Sequence, residues 1–400
     1  MTACPHHPDR EATTVCDYCG GAHCGACVVP LLGRSYCSGC YPRVYTLATG
    51  KTLPKPAAGD GPAAGSAVAG ASRLPGWLSA LAFGAGLVPV LWLSRLASEA
   101  PLQAVASLAR RAGNPTDPTG NPLGTEGIGL GVWTALLFIA ALGPFVAVLL
   151  YTHVMARGVE RQSLLALGLE WPRRAGRTLL LGGGLAAALA LIVFGYAAGK
   201  GWLQVDARLG LPQAVAMLAG GVLVLLPLAL LEEVALRGYL LRSLARSAGP
   251  AAGVVAAALA SVALHAANSG DLPITLPRLL GIGLFALVLG VAAAATRNLW
   301  LSIVLHGGWL FARAALFGAA AWGWMLPTPA FDVRAPAAAS AWTGGIAGPE
   351  AGALFWLAVL PIPLLILLLR PLLIGQKELA APAVPEPPAR AVPIGPTAPR

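Results

Sequence analysis

Eight apolar stretches, each long enough to cross a lipid bilayer, constrain the fold more than any other feature of this sequence. A bilayer core of ~30 Å needs about 20 consecutive apolar residues in a helix. Hydrophobic residues make up 56% of the chain and charged residues 11%, whereas soluble domains carry ~25% charged residues. The stretches are 77–96, 128–151, 178–198, 213–242, 250–266, 278–296, 299–319 and 352–370. The sequence therefore predicts an all-α polytopic membrane bundle of about eight transmembrane helices.

The basic residues orient this bundle. The formal net charge of +10 could suggest nucleic acid binding, but Lys and Arg lie in short loops between the apolar stretches. Cytoplasmic loops of membrane proteins carry such an excess. With both termini cytoplasmic, most of the 27 Lys and Arg residues fall in inner segments, including the cluster from Arg157 to Arg177. We predict a multi-pass protein of a bacterial inner membrane with both termini cytoplasmic, with the lipid bilayer and not nucleic acid as partner.

Composition divides the chain into four parts. Residues 1–45 form a module rich in Cys and His, and residues 46–75 are rich in Ala, Gly and Pro, which is typical of a flexible linker. Residues 76–375 contain the apolar stretches. Residues 376–400 are Pro-rich, which predicts a disordered tail.

All seven cysteines lie within the first 40 residues, with the spacing C-x2-H-x8-C-x2-C-x4-C-x2-C-x9-C-x2-C. Four ligand pairs supply eight soft ligands, and a tetrahedral structural zinc takes four, so the spacing predicts two zinc ions. A module of this size has too few large apolar side chains to fold by burial alone, and zinc binding would supply the folding free energy.

This stretch resembles the B-box type of zinc finger, including the HPDREA run and the final YCSGC. The resemblance implies a cross-brace, in which the two ligand sets alternate along the chain, and a possible cytoplasmic protein partner. His6 or His23 could substitute for His7. The two implied zinc sites are Cys4, His7, Cys24 and Cys27, and Cys16, Cys19, Cys37 and Cys40.

Ionisable side chains interrupt three of the apolar stretches. Glu232, Glu233 and Arg237 lie in GVLVLLPLALLEEVALRGYL, and His265 and His306 lie in two later stretches. A charge at mid-membrane costs at least ~2.5–3.5 kcal/mol, so these residues need partners or a function. Counted from the predicted cytoplasmic ends, Glu232, His265 and His306 lie ~15, ~21 and ~12 Å deep. They could converge in one water-accessible cavity.

The spacing of the charged residues suggests a division of roles. Glu233 and Arg237 are i and i+4, where opposite charges meet on one face of an α-helix, and Glu232 is turned ~100° away. We therefore expect Arg237 to neutralise Glu233 and to leave Glu232 facing the cavity as a general base. The two imidazoles could share a proton, bind a metal or stabilise an oxyanion.

These motifs resemble the CPBP (Abi) family of membrane proteases, which includes the CAAX prenyl endopeptidases and bacteriocin-processing enzymes. EEVALRG at 232–238 fits the E-E-x-x-x-R motif, and SVALH, ending at His265, lies where the family has aromatic-x-x-x-His. TRNLWLSIVLHGGW, ending at Trp309, and RQSLLALGLEW, from Arg161, resemble its last motif and the stretch before its core. The resemblance covers roughly 160–315.

The resemblance implies an intramembrane endopeptidase acting on a membrane-associated protein or peptide. Its catalytic residues would be Glu232, Glu233, Arg237, His265 and His306. Glu232 would activate water with His265 assisting, and His306 would polarise the carbonyl or help bind a metal. Two His and one Glu match a catalytic zinc set, and they also match a metal-free base and oxyanion pair.

Two positions depart from the family pattern. Ser261 stands where the family has an aromatic residue, which should affect packing near the site. Leu310 stands where an Asn or Asp often follows the last histidine, so an oxyanion or metal-side partner could be missing; Asn268 is a possible substitute. These departures leave two alternatives open: a non-catalytic membrane scaffold that recruits a partner through the zinc module, and an ion- or proton-coupled transporter.

Overall fold

The structure is a computed structural model that describes residues 3–4, 7–24, 27–31, 34–37, 40–41, 44, 72–111, 130–207, 211–269, 272–319 and 329–374. The chain divides into two units, Met1–Val68 and Ala69–Arg400. Most of the predicted linker and all of the predicted tail lie outside the described residues, so both stay predictions.

Within its described residues, the first unit contains three antiparallel two-stranded sheets, each joining neighbouring strands: β1 with β2, β3 with β4, and β5 with β6. Its described buried side chains are few and include Cys16, Cys24, Cys27 and Cys37. So small an apolar core favours a metal as the source of stability. The strands are β1 (Ala3–Cys4), β2 (His7–Glu11), β3 (Thr14–Val15), β4 (Ala22–His23), β5 (Val28–Leu31) and β6 (Arg34–Cys37).

The second unit is almost entirely helical, because a backbone in lipid must satisfy its own hydrogen bonds. Its one described sheet pairs β7 (Gln204–Ala207) with β8 (Phe331–Arg334) in antiparallel register. Three π-helical segments interrupt the helices: Leu191–Tyr196, Glu233–Leu240 and Phe311–Leu316. The α-helices are α1 (Gly76–Arg111), α2 (Leu130–Gly158), α3 (Ala175–Ala190), α4 (Ala197–Gly199), α5 (Leu211–Glu232), α6 (Leu241–Ala267), α7 (Leu276–Thr296), α8 (Trp300–Leu310), α9 (Ser340–Thr343), α10 (Ala353–Val359) and α11 (Ile362–Leu373).

Six helical segments within the described residues are long and apolar enough to cross a bilayer. One of them, Leu218–Ala267, has 50 residues and contains most of the fourth and all of the fifth predicted stretch. The seventh predicted stretch corresponds to the shorter apolar helix Trp300–Leu316. The molecule is therefore a multi-pass helical membrane protein, and the count of eight spans stays a prediction.

The 50-residue segment reverses direction at Gly249. This residue has φ 85° and ψ 163°, which is a backbone conformation that side-chain-bearing residues rarely adopt. Pro250 follows, and it starts the next helical run because it has no N–H to donate. The reversal brings the second half of the segment beside the first, and Glu232 thereby contacts Ser261 and His265.

Two large apolar clusters form the core of the helical unit. One contains Leu231 and the stacked rings of Phe83 and Tyr239, whose centroids are 4.2 Å apart. The other contains Leu305 and Trp309. Glu232 and His306 directly follow Leu231 and Leu305 in the chain, so the charged groups lie where the two clusters meet.

Candidate active site

Glu232, His265 and His306 converge from three separate apolar segments. Their ligand atoms all lie within 4.8 Å of one another. The Nε2 atom of His265 is 3.2 Å from Oε2 of Glu232, and the Nε2 atom of His306 is 3.8 Å from the same oxygen. The structure thus brings together the three residues that the sequence placed at similar depth.

Arg237 contacts Glu233, as predicted from the i and i+4 spacing, but it also contacts Glu232, so the prediction that it leaves Glu232 free is wrong. Its Nη1 donates to Oε1 of Glu232 at 2.9 Å and to Oε1 of Glu233 at 3.1 Å. All three side chains are buried. One guanidinium therefore balances two carboxylates, and the four residues Glu232, Glu233, Arg237 and His306 form one network.

The π-helical segment Glu233–Leu240 explains this difference. In an α-helix, residues i and i+4 share a face and a residue at i+5 is rotated away. A π turn has i to i+5 hydrogen bonds and widens the helix. Arg237 is i+5 from Glu232 and i+4 from Glu233, so the wider turn lets it contact both. Such bulges occur frequently at functional sites.

Glu233 orients the imidazole of His306. The Nδ1 atom of His306 is 2.9 Å from Oε1 of Glu233. A carboxylate that accepts this hydrogen bond selects the tautomer of the neutral imidazole with its proton on Nδ1, which leaves a lone pair on Nε2. Oε2 of Glu233 is buried and has no hydrogen-bond partner among the described residues. Glu233 thus sets which ring nitrogen of His306 faces the cavity.

Ser261 belongs to the site, although the sequence indicated only a packing change there. Its hydroxyl donates to Oε1 of Glu232 at 2.8 Å, and its side chain is buried. Many serines in apolar helices have only a structural role, so no sequence pattern predicts that Ser261 contacts Glu232. Glu232 therefore has one oxygen, Oε1, held by Arg237 and Ser261, and a second, Oε2, facing the two histidines.

Replacing Ser261 with Ala should lower the free energy of unfolding by about 1.5–3 kcal/mol, because the lost hydrogen bond is made to a buried charge. The measurement is reversible denaturation of the purified protein in detergent. Ser302→Ala is the matched control, because Ser302 is equally buried but donates to the carbonyl of Leu299 in its own helix. Equal losses in the two variants would contradict the assigned role of Ser261.

One cavity has room for a water-sized guest and is lined by Glu232, Arg237, Ser261, His265 and His306. Arg313 and Glu350 line it too, and the sequence analysis missed both. Arg313 follows the last motif, and Glu350 is an isolated acid in a Gly-rich stretch, so neither belongs to a recognisable pattern. Leu310, buried, also lines the cavity. The possible substitute Asn268 instead bonds to Arg95 and to the carbonyl of Leu264.

The first unit holds a second potential metal site. Cys16, Cys19, Cys37 and Cys40 have their sulfur atoms within 4.8 Å of one another, so one ion can contact all four. This is one of the two sets that the B-box resemblance implied. Of the other set, Cys24 and Cys27 are buried. The side chains of Cys4 and His7 lie outside the described residues, so that set stays a prediction.

Hydrogen bonds favour a thiolate in this cysteine cluster. Although burial raises the pKa of the Cys16 thiol, hydrogen bonds from the backbone of Cys37, Cys19 and Tyr18 outweigh it and lower that pKa to about 6. A hydrogen bond with the Cys37 side chain, followed by burial, raises the pKa of Cys40 to about 12. A divalent cation would stabilise the remaining thiolates, because metal ligands must lose their protons.

Residues 213–312, a quarter of the chain, match a family model described as type II CAAX prenyl endopeptidase Rce1-like. The match contains every residue of the predicted catalytic set. This region is similar to a CAAX protease. The match supports, in general terms, an intramembrane CAAX-type endopeptidase, as the sequence motifs suggested. It does not include the cysteine module. No curated protein and no solved structure matches the chain.

Proposed function

We propose that this protein is an intramembrane endopeptidase that hydrolyses a peptide bond of a membrane-associated protein or peptide, with Glu232 activating water. The observation that carries the proposal is the contact of one buried carboxylate with two imidazoles in a cavity with room for water. Water at a lipid-surrounded site serves as a reactant only if a base holds and deprotonates it.

Oε2 of Glu232 is the base in this proposal. Oε1 is occupied by Arg237 at 2.9 Å and Ser261 at 2.8 Å. Oε2 faces His265 Nε2 at 3.2 Å, which places a second proton-transfer group beside the first. His265 is the more exposed of the two histidines, with 13% of its side chain accessible. It is therefore the better placed to pass a proton to the leaving amine.

His306 suits a metal ligand or, when protonated, an oxyanion donor. Because its Nδ1 proton points to Glu233, its neutral form offers a lone pair at Nε2, as a metal ligand requires. Glu232, His265 and His306 would hold a divalent ion, which would polarise the carbonyl and acidify water. The types of these ligands and their spacing fit a divalent ion, whereas the adjacent guanidinium of Arg237 repels a cation. In the metal-free form Glu232 is the base, whereas in the metal form it is a ligand and the ion acidifies the water, so both forms require Glu232.

Glu232→Gln should reduce kcat/KM by about 10²–10⁴-fold, the usual contribution of a general base. The amide keeps an acceptor for Ser261 and leaves Glu233 to balance Arg237, so the fold should survive. The measurement is comparative membrane proteomics of cells with wild type or Glu232→Gln, in which the variant should accumulate an uncleaved precursor.

Glu160→Gln is the control for this experiment. Glu160 is also a buried acid paired with an arginine, Arg246, and its partners include Ser79 and Ser243, but it does not line the cavity. An unchanged proteome in both variants would favour the scaffold, for which the apolar Leu310 at the cavity wall is the supporting observation. Ion flux in liposomes that Glu232→Gln abolishes would favour a transporter.

We also propose that Cys16, Cys19, Cys37 and Cys40 bind a structural zinc. Four thiolates in reach of one ion form a closed tetrahedral set with no open position, which is typical of structural zinc. A second zinc at Cys4, His7, Cys24 and Cys27 and a cytoplasmic partner of this module remain predictions.

A further inference from the structure

A second buried ion pair, formed by Arg313 and Glu350, also lines the cavity. Arg313 donates to Oε1 of Glu350, and the indole N–H of Trp309 donates to the same oxygen at 3.0 Å. Glu350 is 2% exposed and Arg313 is 5% exposed. Both residues lie outside the segment that matches the protease family model. The family match therefore assigns no role to this pair.

The backbone around Glu350 is held against α7. The residue lies in the short 3-10 turn Pro349–Ala351, and its carbonyl accepts from the indole N–H of Trp356 at 2.8 Å. A Cβ on Gly281 of α7 would lie 1.8 Å from the same carbonyl, so only glycine permits this approach. The turn packs closely against α7, and Glu350 is therefore a fixed part of the cavity wall.

The second oxygen of this acid makes no hydrogen bond within the part of the chain that the structure describes. This oxygen, Oε2 of Glu350, is buried. A buried acceptor without a partner lowers stability, and apolar residues of similar volume often replace a buried ion pair without loss. Packing alone therefore does not explain a carboxylate here. The oxygen is suited to accept a hydrogen bond from a bound molecule.

A substrate cleaved within the membrane supplies such donors. Its helix must unwind at the cleaved bond, and main-chain N–H groups then lose their partners where lipid offers none. Resting on the proposed function, we infer that Oε2 of Glu350 binds a main-chain N–H of the unwound substrate, while Arg313 and Trp309 hold the other oxygen in place. Glu350 would then be a substrate-positioning residue of the protease.

The spacing along one helix predicts which N–H is bound. Glu350 contacts both Trp309 and Arg313, which follow His306 by three and seven residues, so its carboxylate lies ~5–10 Å along the helix from His306. An extended peptide advances ~3.3 Å per residue, so the N–H should lie about one to three residues from the cleaved bond. That distance separates the binding group from the reacting atoms, so a change at Glu350 should act mainly on KM.

The test uses the full chain in liposomes and a synthetic single-span peptide that carries a fluorophore and a quencher. Mass spectrometry locates the cleaved bond, and a panel then carries one N-methyl amide at each position one to four residues from it. For the wild-type chain, one N-methylated position should raise KM about tenfold, as expected for a hydrogen bond to a charged group. Glu350→Gln, which turns the acceptor into a donor, should raise KM for the parent peptide similarly and remove the effect of that N-methyl group.

Glu160→Gln is the matched control, and it should keep the wild-type sensitivity to N-methylation. The double variant Arg313→Met with Glu350→Leu removes both members of the buried ion pair, so it should fold and should also lose the sensitivity. If the increases in KM caused by Glu350→Gln and by N-methylation multiply at every position, the two groups act independently and the inference is wrong. It is also wrong if Glu350→Gln changes kcat alone. Dependence on a substrate side chain in place of the main chain would overturn it too.

Failure of the positioning role is distinguishable from failure of the proposed function. Glu232→Gln should cleave no peptide of the panel. If it cleaves them at the wild-type rate, or if the wild-type chain cleaves none, the protease assignment is wrong. If only the wild-type chain is active and the N-methyl effects multiply, Glu350 alone is misassigned.

Discussion

Arg237→Met should lower the free energy of unfolding by about 3–5 kcal/mol, the usual result of removing one partner from a buried ion pair. Its Nη1 lies 2.9 Å from one carboxylate and 3.1 Å from the next, and its Nη2 donates to the carbonyl of Ala286 at 3.4 Å. Without the guanidinium, Glu232 and Glu233 face each other uncompensated. Two buried like charges are costly, because the site has little solvent to screen them.

Chemical denaturation of the purified protein in detergent micelles measures this loss. Arg246→Met is the control, because Arg246 also pairs with a buried acid, Glu160, but 31% of its side chain is accessible. Solvent around the Arg246 guanidinium weakens its pair with Glu160, so Arg246→Met should lower the free energy of unfolding by less than Arg237→Met does. Adding Glu233→Gln to Arg237→Met should recover part of the stability. A loss below ~1 kcal/mol, the range of surface pairs, would show that Arg237 is not the shared counterion.

Cys37→Ser should reduce the zinc content of the full chain by one ion and unfold residues 1–45. Structural zinc contributes about 10–16 kcal/mol in zinc-finger peptides. That is as large as the whole ~5–15 kcal/mol stability of a typical domain. The described apolar core of this unit is too small to compensate, because its main buried residues are the cysteines themselves.

Elemental analysis of the purified chain and limited proteolysis measure the two effects. Cys24→Ser should also remove one ion if the second predicted site exists, and the pair of variants should remove two. Ser35→Ala changes a neighbour that is not a ligand and should leave the zinc content unchanged. A wild-type zinc content in Cys37→Ser would contradict the four-cysteine site, whereas loss only in Cys37→Ser would contradict the cross-brace.

The spacing of residues along the chain predicts much of the site. The membrane class follows from long apolar runs, since a helix in lipid needs a minimum length and tolerates few charges. The pairing of Cys16, Cys19, Cys37 and Cys40 was implied by a resemblance in ligand spacing, and the structure places these four within reach of one ion. Glu232, His265 and His306 were selected because buried ionisable groups are costly, and they meet in space.

Other features depend on contacts that no spacing shows. Arg237 reaches both acids because the helix there has a π turn, and an apolar sequence does not reveal whether a turn closes on i+4 or i+5. Ser261 reaches Glu232 because the chain reverses at Gly249. Glu350 reaches the cavity because a tight turn packs on Gly281. Local patterns could thus identify which residues are costly to bury, whereas the partner of each charge depends on how distant segments pack.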